Sequence, residues 1–157
     1  MAKTNAVRIL EQKKVRFELR EYAVDPEDLS AETVAAKVNM PLEQVYKTLL
    51  CRGDKHGCVF AIVAAGTELD LKALAKATGD KSCEMVGLKE VEPLTGYIRG
   101  GVTVLGAKKS FPVVADDSIV AHETISISAG VRGTQVILAP GDYVSVTAAK
   151  LATICRR

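Results

Sequence analysis

The sequence predicts an α+β fold, in a single domain with a mixed or antiparallel sheet. Helical patterns come mostly first along the chain, and short β-rich runs punctuated by Gly, Pro and Asp come later. This order differs from the regular strand–helix alternation of a doubly wound parallel sheet. With 157 residues, 48% of them hydrophobic, the chain is long enough to bury one core without metal or disulfides. No repeat or linker-like tract divides it, so one domain is expected over residues 1–157.

The first elements are predicted from helix caps and from strand alternation. Thr4 is a suitable N-cap for an opening helix, and "VRFELREYAV" then alternates as a strand does. Ser30 can cap the helix "AETVAAKV", and Asn39 suits the left-handed residue that ends it. Pro41 is then expected at the first position of a short helix, "PLEQVY".

The middle of the chain contains the clearest hairpin. The apolar runs "KTLLCR" and "GCVFAIVAAG" are separated by the turn-rich segment "GDKH". Asp70 can cap the helix "LKALAKAT", which Gly79 is expected to end. "SCEMVG" is a candidate strand, and "LKEVEPL" is expected to be helical up to Pro93.

From Gly96 onward the pattern favours short strands. These are "GVTVLG", "FPVVADDSI", "ETISISAG" and "TQVILAP", each bounded by turn residues. Asp142 is expected to open a last short helix, which "KLATIC" follows.

Charge, hydropathy and cysteine content limit the class of protein. Twenty-one Lys and Arg against nineteen Asp and Glu leave a net charge of +2, which argues against bulk electrostatic capture of long nucleic acid. No stretch predicts a signal peptide or a membrane span, so a cytoplasmic protein is expected. The four cysteines are then expected to be reduced thiols: Cys51, Cys58, Cys83 and Cys155.

The run "GVTVLGAKKS" is close to a phosphate-binding P-loop. That motif needs its lysine directly after the second glycine and a helix next, whereas here Ala107 intervenes and "SFPVVAD" follows. Gly100, Gly101 and Gly106 are therefore either turn and bulge residues or a place where backbone approaches a ligand closely.

The segment "TVAAKVNMPLEQVYKTLL" has the spacing of a helix-turn-helix. Its second helix would begin Pro41, Leu42, Glu43, Gln44, with no Arg or Lys to contact phosphates or guanines. The interpretation as two helices that pack on each other is therefore favoured over a DNA-binding helix-turn-helix.

Cys51, His56 and Cys58 form an incomplete zinc motif. A structural zinc site needs four ligands, and no second cysteine pair follows. These residues are expected to fill a buried hairpin, with His56 at its tip.

Two further segments carry polar groups that the residues alone leave open. Lys47, between Tyr46 and "TLLC", could reach a phosphate or a developing oxyanion, or extend into water. "SAGVRG" could be a plain hairpin turn, or a polar loop in which Ser128 and Arg132 line a pocket. No Ser-His-Asp or Cys-His nucleophile arrangement can be assigned.

Three motifs, in order, resemble the YbaK/EbsC family, free-standing relatives of the editing domain of bacterial prolyl-tRNA synthetases. They are "VYKTLL" around Lys47, "TGYIRGGVTVLGAKK" around Gly100 and Gly101, and "SAGVRG" followed by "LAPGD". The resemblance spans nearly the whole chain. It implies a single α+β domain with a mixed, strongly curved sheet and flanking helices.

The resemblance also implies hydrolytic clearance of mischarged tRNA. The expected substrate is Cys-tRNA(Pro), with Cys-tRNA(Cys) as a candidate second substrate. Cysteine and proline are so similar in size that one synthetic pocket separates them by only ~1–3 kcal/mol, so a second site must remove errors. The alternatives are a deacylase for another small aminoacyl group and a non-catalytic module that binds tRNA or a synthetase. The implied partners are the acceptor CCA end of tRNA and prolyl-tRNA synthetase, without a cofactor, metal, membrane or duplex DNA.

Residue roles follow from the same resemblance. The family lysine maps onto Lys47, which would hold the acylated tRNA end by its phosphate or carbonyl. The family's glycine pair maps onto Gly100 and Gly101, whose backbone would approach the ester carbonyl, and the loop serine maps onto Ser128. Further substrate-binding positions are expected at Tyr22, Thr48, Tyr97, Thr103 and Asp142. The substrate's own thiol is expected to attack the ester, so no cysteine of the chain need be catalytic. Lys108 and Lys109 are expected to form a solvated basic edge that helps to hold tRNA.

The chain departs from the family pattern in the predicted pocket wall. Val104 replaces a proline, although Thr103 keeps the neighbouring hydroxyl. Ala129 and Val131 replace a glycine and a lysine, and Ser30 stands where many members have an aromatic residue. Aminoacyl specificity is therefore the property expected to differ.

Overall fold

The structure, a computed structural model, describes residues 3–156. Its α-helices are α1 (Asn5–Gln12), α2 (Ala31–Val38), α3 (Leu71–Thr78), α4 (Leu88–Thr95) and α5 (Pro140–Thr147). Its strands are β1 (Phe17–Glu21), β2 (Tyr46–Gly53), β3 (Gly57–Ala64), β4 (Glu68–Leu69), β5 (Cys83–Met85), β6 (Val113–Asp116), β7 (Ile125–Ser128), β8 (Thr134–Leu138), β9 (Lys150–Ala152) and β10 (Cys155–Arg156). Two 3₁₀ helices cover Leu42–Gln44 and Asp117–Ala121.

The strands form two larger sheets and a two-stranded ribbon. The five-stranded sheet has the order β5-β2-β3-β6-β9, antiparallel at β2 and parallel where β6 meets β3 and β9. The second sheet is antiparallel, with the order β1-β8-β7, and β4 pairs with β10. An isolated parallel bridge between Val45 and Ser126 connects the larger sheets. This architecture confirms the predicted α+β fold with a mixed sheet.

The five-stranded sheet separates two apolar clusters, because successive strand residues point to opposite faces. Phe60 and Ile62 of β3 belong to the larger cluster, which α1 and α5 help to form. Ala61 and Val63 face the smaller cluster beneath α3. A third group packs α2 against Val45, so α2 lies beside the start of β2.

The helix caps lie where the sequence predicts them. Thr4, Ser30 and Asp70 each accept a hydrogen bond from the backbone N–H three residues on, at 3.2, 3.3 and 3.1 Å. Asn39 and Gly79 adopt left-handed conformations, with φ of 58° and 80°, after α2 and α3. These caps are confirmed because each depends on a short stretch of backbone alone.

The predicted helix "PLEQVY" is wrong. Only Leu42–Gln44 forms a 3₁₀ turn, Pro41 precedes it, and β2 begins at Tyr46. Pairing of β2 with β3 stabilises the extended conformation from Tyr46 onward more than the local helix propensity stabilises a helix. A three-residue turn cannot enter a DNA groove as a reading helix, which removes the basis of the helix-turn-helix alternative.

The segment "GVTVLG", predicted as a strand, is an irregular loop. Val102 and Val104 are half-buried and alternate with buried neighbours, which imitates the period of a strand. The loop instead lies against α1, since a Cβ added to Gly106 would lie 2.9 Å from Cβ of Asn5. Alternation of buried and half-buried residues therefore does not by itself produce a strand; the segment must also pair with a neighbouring strand.

Three element boundaries also differ from the prediction. Helix α4 continues through Pro93 to Thr95, because the missing N–H of proline removes a single bond near the helix end. Helix α5 begins at Pro140, so Asp142 lies in its first turn and is not its cap. In "FPVVADDSI" only Val113–Asp116 is strand, and a 3₁₀ helix follows.

The cysteines are free thiols, and Cys51 is fully buried. Burial raises the pKa of the Cys51 thiol to about 12, so it stays protonated at neutral pH. Within residues 3–156, no group of three or more His, Cys, Asp or Glu side chains could hold a metal ion. None of the helices in that range has the length and apolar character needed to cross a membrane.

Candidate functional site

Lys47 is a half-buried cation near the start of β2. It pairs across the sheet with Val63, and two residues earlier on the same side Val45 packs against α2. Among the described residues, no carboxylate forms an ion pair with the Lys47 ammonium, and no hydrogen bond engages it. The charge is therefore available to an anionic or carbonyl group on the α2 side of the sheet.

Ser128 reaches this neighbourhood through the bridge between the sheets. The bridge aligns Val45 with Ser126 in parallel, and two residues further along each chain lie Lys47 and Ser128. Parallel partners project to the same side, so both side chains leave the sheets on the face where α2 packs on Val45 and α3 packs near Val63. Ser128 ends β7, and its Oγ accepts a hydrogen bond from the Gly130 N–H at 3.1 Å.

The glycine pair brings a second loop against the β7–β8 loop. Gly100 has a φ of +88°, a conformation that favours glycine. Gly101 is buried, and a Cβ there would lie 3.2 Å from the backbone of Val131 and 3.3 Å from the Arg132 nitrogen. The close approach of the family glycines is thus partly a loop-to-loop contact.

The backbone donors near the pair are not all free. The Gly101 N–H donates to the carbonyl of Ile98 at 2.9 Å, which closes a turn. The N–H groups of Gly100 and Val102 bond to no acceptor among the described residues. The donors available to a developing oxyanion are therefore the neighbours of Gly101.

A small cleft joins Gly100 to the end of β1 and the first turns of α2. Tyr22, Leu29, Thr33 and Lys37 are among its lining residues. Tyr22 is held there by its N–H, which donates to the carbonyl of Gly133 at 2.9 Å. The cleft thus lies between α2, the segment after β1 and Gly100, and neither Lys47 nor Ser128 is among its lining residues.

Arg132 lies at the edge of this cleft. Its Nε donates to the Arg99 carbonyl at 2.8 Å, and its Cγ and Nε are 3.4 Å from where a Gly100 Cβ would be. No described carboxylate pairs with it. The two terminal nitrogens of an already oriented guanidinium therefore remain free beside the glycine pair. The loop is a hairpin connection, and it also places Arg132 at the cleft.

Thr48 and Thr103 meet elsewhere, beside a tyrosine that sequence reasoning missed. Tyr143 is fully buried, and its hydroxyl has no hydrogen-bond partner within residues 3–156. Burial raises its pKa to about 12, while the nearby Thr103 and Thr48 hydroxyls and the Val104 backbone act in the opposite direction. Thr48 follows Lys47 directly, so it points to the other face of β2. The available signal was helical spacing, since Tyr143 shares a face of α5 with Val146 and Thr147.

Tyr97 supports the glycine loop from behind. Its hydroxyl donates to the Leu105 carbonyl at 2.6 Å, and its N–H donates to the Thr95 hydroxyl at 3.0 Å. Its ring carbon is 3.0 Å from where a Gly130 Cβ would be. Tyr97 therefore contacts both the glycine loop and the β7–β8 loop, and it supports their relative position. Asp142 is exposed in the first turn of α5 and does not line the cleft.

The sequence model of the aminoacyl-tRNA editing domain family matches residues 25–146. The chain belongs to this family. Its match includes Lys47, the glycine pair, the β7–β8 loop and the cleft except for Tyr22 and Val24.

Relatives within and near the editing family span most of the chain. EbsC of Enterococcus faecalis, provisionally named a Cys-tRNA(Pro)/Cys-tRNA(Cys) deacylase, is 44% identical over 97% of this chain and 93% of its own. The multifunctional Ser/Thr-tRNA deacylase ProXp-y of Escherichia coli is 29% identical over 80% of this chain and 77% of its own. A proline–tRNA ligase of Thermosipho africanus is 32% identical over 60% of this chain, which corresponds to 16% of the ligase.

Solved structures share the fold of this editing-family chain. One is described provisionally as a trans-editing enzyme for prolyl tRNA synthetase, with a TM-score of 0.83, 21% identity and full coverage of both chains. Another, the hypothetical protein APE2540, has a TM-score of 0.88 and 17% identity, covering 98% of this chain and 100% of its own. At these identities the likeness concerns the fold alone.

Proposed function

We propose that this editing-family protein is an aminoacyl-tRNA deacylase that clears Cys-tRNA(Pro), with Cys-tRNA(Cys) as a second substrate. The observation that carries the proposal is the half-buried Lys47 ammonium, which pairs with no described carboxylate and leaves β2 on the face that packs against α2, a wall of the cleft at Gly100. The 44% identity with EbsC supports the substrate assignment. The activity would belong to the cytoplasm, on tRNA charged in error by a synthetase.

In the proposed mechanism the protein supplies positioning and charge. Lys47 holds the acylated acceptor CCA end through a phosphate or the ester carbonyl, and the N–H groups of Gly100 and Val102 stabilise the oxyanion. The substrate sulfur bonds to the carbonyl carbon, the bond to the ribose oxygen breaks, and the thiol proton passes to that oxygen. Water then opens the cyclic thioester to free cysteine. No protein nucleophile takes part.

A second candidate activity is removal of serine or threonine from mischarged tRNA. The relative ProXp-y motivates it, because its name specifies Ser/Thr-tRNA. The serine side chain is close in size to the cysteine side chain, and the threonine side chain adds one methyl group. A panel of charged tRNAs separates the two activities by their relative kcat/KM.

Loss of the aminoacyl label from Cys-tRNA(Pro) tests the proposal directly. We expect Lys47→Ala to slow single-turnover deacylation about 100- to 1,000-fold, the usual cost of removing one transition-state charge contact. Lys72→Ala is the matched control, since Lys72 is exposed on α3 and does not line the cleft at Gly100. Full activity in Lys47→Ala would contradict the role of Lys47. Salt-sensitive tRNA binding without turnover by the wild type would instead identify a binding module.

A further inference from the structure

A second cleft, separate from the one at Gly100, lies between the end of α1, the end of α5 and residues 104–113. Its volume is about 320 Å³. That volume falls at the lower end of the range for small-molecule sites, about 300–1,000 Å³. We call it the lysine-rimmed cleft because Lys13 and Lys109 line it.

The floor of the lysine-rimmed cleft is aromatic. Phe111 is half-buried, and its ring packs against the buried ring of Phe60 at a centroid distance of 5.7 Å and an angle of 56°. This contact fixes the orientation of the Phe111 ring while part of it stays exposed. A fixed, partly exposed aromatic ring is the platform on which single-stranded nucleic acids stack their bases.

The rim of the cleft is positively charged. Lys13 and Lys109 are exposed, and no Asp or Glu is among the lining residues. Neither lysine forms an ion pair with a described carboxylate. Because the whole chain has a net charge of only +2, this local charge favours an anionic occupant over a general attraction for polyanions.

The position of the cleft favours the acceptor strand as that occupant. Val104 lines it and is three residues from Gly101, which the extended backbone can separate by at most about 10 Å. At roughly 3.4 Å per stacked nucleotide, a separation of up to that length corresponds to at most about three nucleotides. A strand whose 3′ ester lies at the glycine pair would thus present an upstream base and phosphate to the cleft.

We infer that the lysine-rimmed cleft binds a nucleotide of the tRNA acceptor strand, upstream of the ester. The base stacks on Phe111, and Lys13 and Lys109 contact the phosphates. The inference rests on the proposed deacylase function, because that function places the 3′ ester at the glycine pair and so makes the nucleotide in this cleft an upstream one. It adds a second point of attachment on the far side of the 101–111 loop.

The test compares two surfaces of equal charge. The variants are Lys13→Gln/Lys109→Gln and Phe111→Leu, and the control is Lys72→Gln/Lys76→Gln on exposed positions of α3. Binding of a fluorescent RNA minihelix that ends in CCA and carries no amino acid is followed by fluorescence anisotropy over a range of salt concentrations. Deacylation of Cys-tRNA(Pro) is measured in parallel, and thermal unfolding shows that each variant is folded.

We expect the lysine variant to bind the minihelix about tenfold more weakly, with a salt slope reduced by one to two. Phe111→Leu should weaken binding about five- to tenfold, the loss typical of one stacking partner. KM should rise by similar factors while kcat stays within about twofold, because neither change touches the ester. The control variant should match the wild type.

Three outcomes would overturn the inference. Wild-type binding by the cleft variants would do so while leaving the deacylase proposal intact. Tighter binding of free AMP than of the minihelix by the wild type would overturn it, because the cleft would then be a mononucleotide site. It would also be overturned if the cleft variants lost binding to prolyl-tRNA synthetase while their RNA binding stayed unchanged. Conversely, cleft-dependent RNA binding with no wild-type turnover would support the cleft and reject the proposed catalysis.

Discussion

Gly100 and Gly101 are adjacent and identical in type, yet a side chain would meet a different obstacle at each. At Gly100 the obstacle is the positive φ, which costs an L residue roughly 1 kcal/mol or more. At Gly101 the φ is ordinary, and the obstacle is the backbone of Val131 and Arg132. The first glycine shapes its own loop, whereas the second sets the distance between two loops.

Gly101→Ala should reduce activity more than stability. Its Cβ would lie 3.2 Å from the Val131 backbone, so the loops must separate by a few tenths of an ångström. Because that shift moves the Gly100 and Val102 donors, we expect kcat to fall about tenfold. Gly141→Ala is the control, since nothing lies within 4 Å of its added Cβ. Unchanged kcat in Gly101→Ala would show that the spacing is not catalytic.

Arg132 should contribute to substrate binding through its free terminal nitrogens. Arg132→Gln removes the charge, so KM for Cys-tRNA(Pro) should rise about tenfold and depend less on salt. Arg132→Lys keeps the charge but loses the Nε bond that orients the group, and should recover only part of the affinity. Full recovery by lysine would show that orientation by the Arg99 carbonyl is unimportant.

At the scale of elements, the sequence predicts what depends on neighbouring residues. The caps at Thr4, Ser30 and Asp70 and the β2–β3 hairpin are confirmed for this reason. The "GVTVLG" segment has the right period for a strand, but the five-stranded sheet has β5 and β9 at its edges. Whether an edge is available depends on segments distant along the chain, and periodicity contains no information on that.

The same distinction between local and long-range information applies to the candidate site. Resemblance selects Lys47, Gly100, Gly101 and Ser128, whose roles stay predictions. The bridge between Val45 and Ser126, two residues before Lys47 and Ser128, joins segments about eighty residues apart, and no local pattern predicts it. For the same reason the sequence gives no sign that Thr48 faces the buried Tyr143.

At the scale of the whole molecule, Asp116 fastens the C-terminal segment to the sheet. This fully buried carboxylate accepts hydrogen bonds from the N–H groups of Ile154 and Cys155 at 2.9 and 3.0 Å. Burial acts to raise its pKa, but the hydrogen bonds from Ser118, Ile154 and Cys155 together lower it below the usual value. The folded state therefore favours the ionised form.

Asp116 should make stability sensitive to acid. Since its pKa is lower in the folded state, its contribution is complete above the unfolded value of about 3.9 and is lost as pH falls through the folded value. Asp116→Asn should lower the free energy of unfolding at pH 7 by about 1–3 kcal/mol and flatten its acid dependence. Glu123→Gln, at an exposed carboxylate with no hydrogen bond or ion pair to the described part of the C-terminal segment, is the control for urea unfolding between pH 3 and 7. Equal acid sensitivity in both variants would contradict this assignment.

The isolated bridge between Val45 and Ser126 also affects how this scaffold can change. In the described residues it is the one β-bridge that connects the two larger sheets, so their backbones are joined at a single point. Lys47 lies on the five-stranded sheet, and the loop that contacts Gly101 extends from the three-stranded sheet. The distance between Lys47 and that loop is set by how the two sheets pack on the opposite face, through fully buried side chains such as Ile127. Evolution can therefore retune the width of the pocket by repacking its back wall, with every residue that faces the substrate left in place.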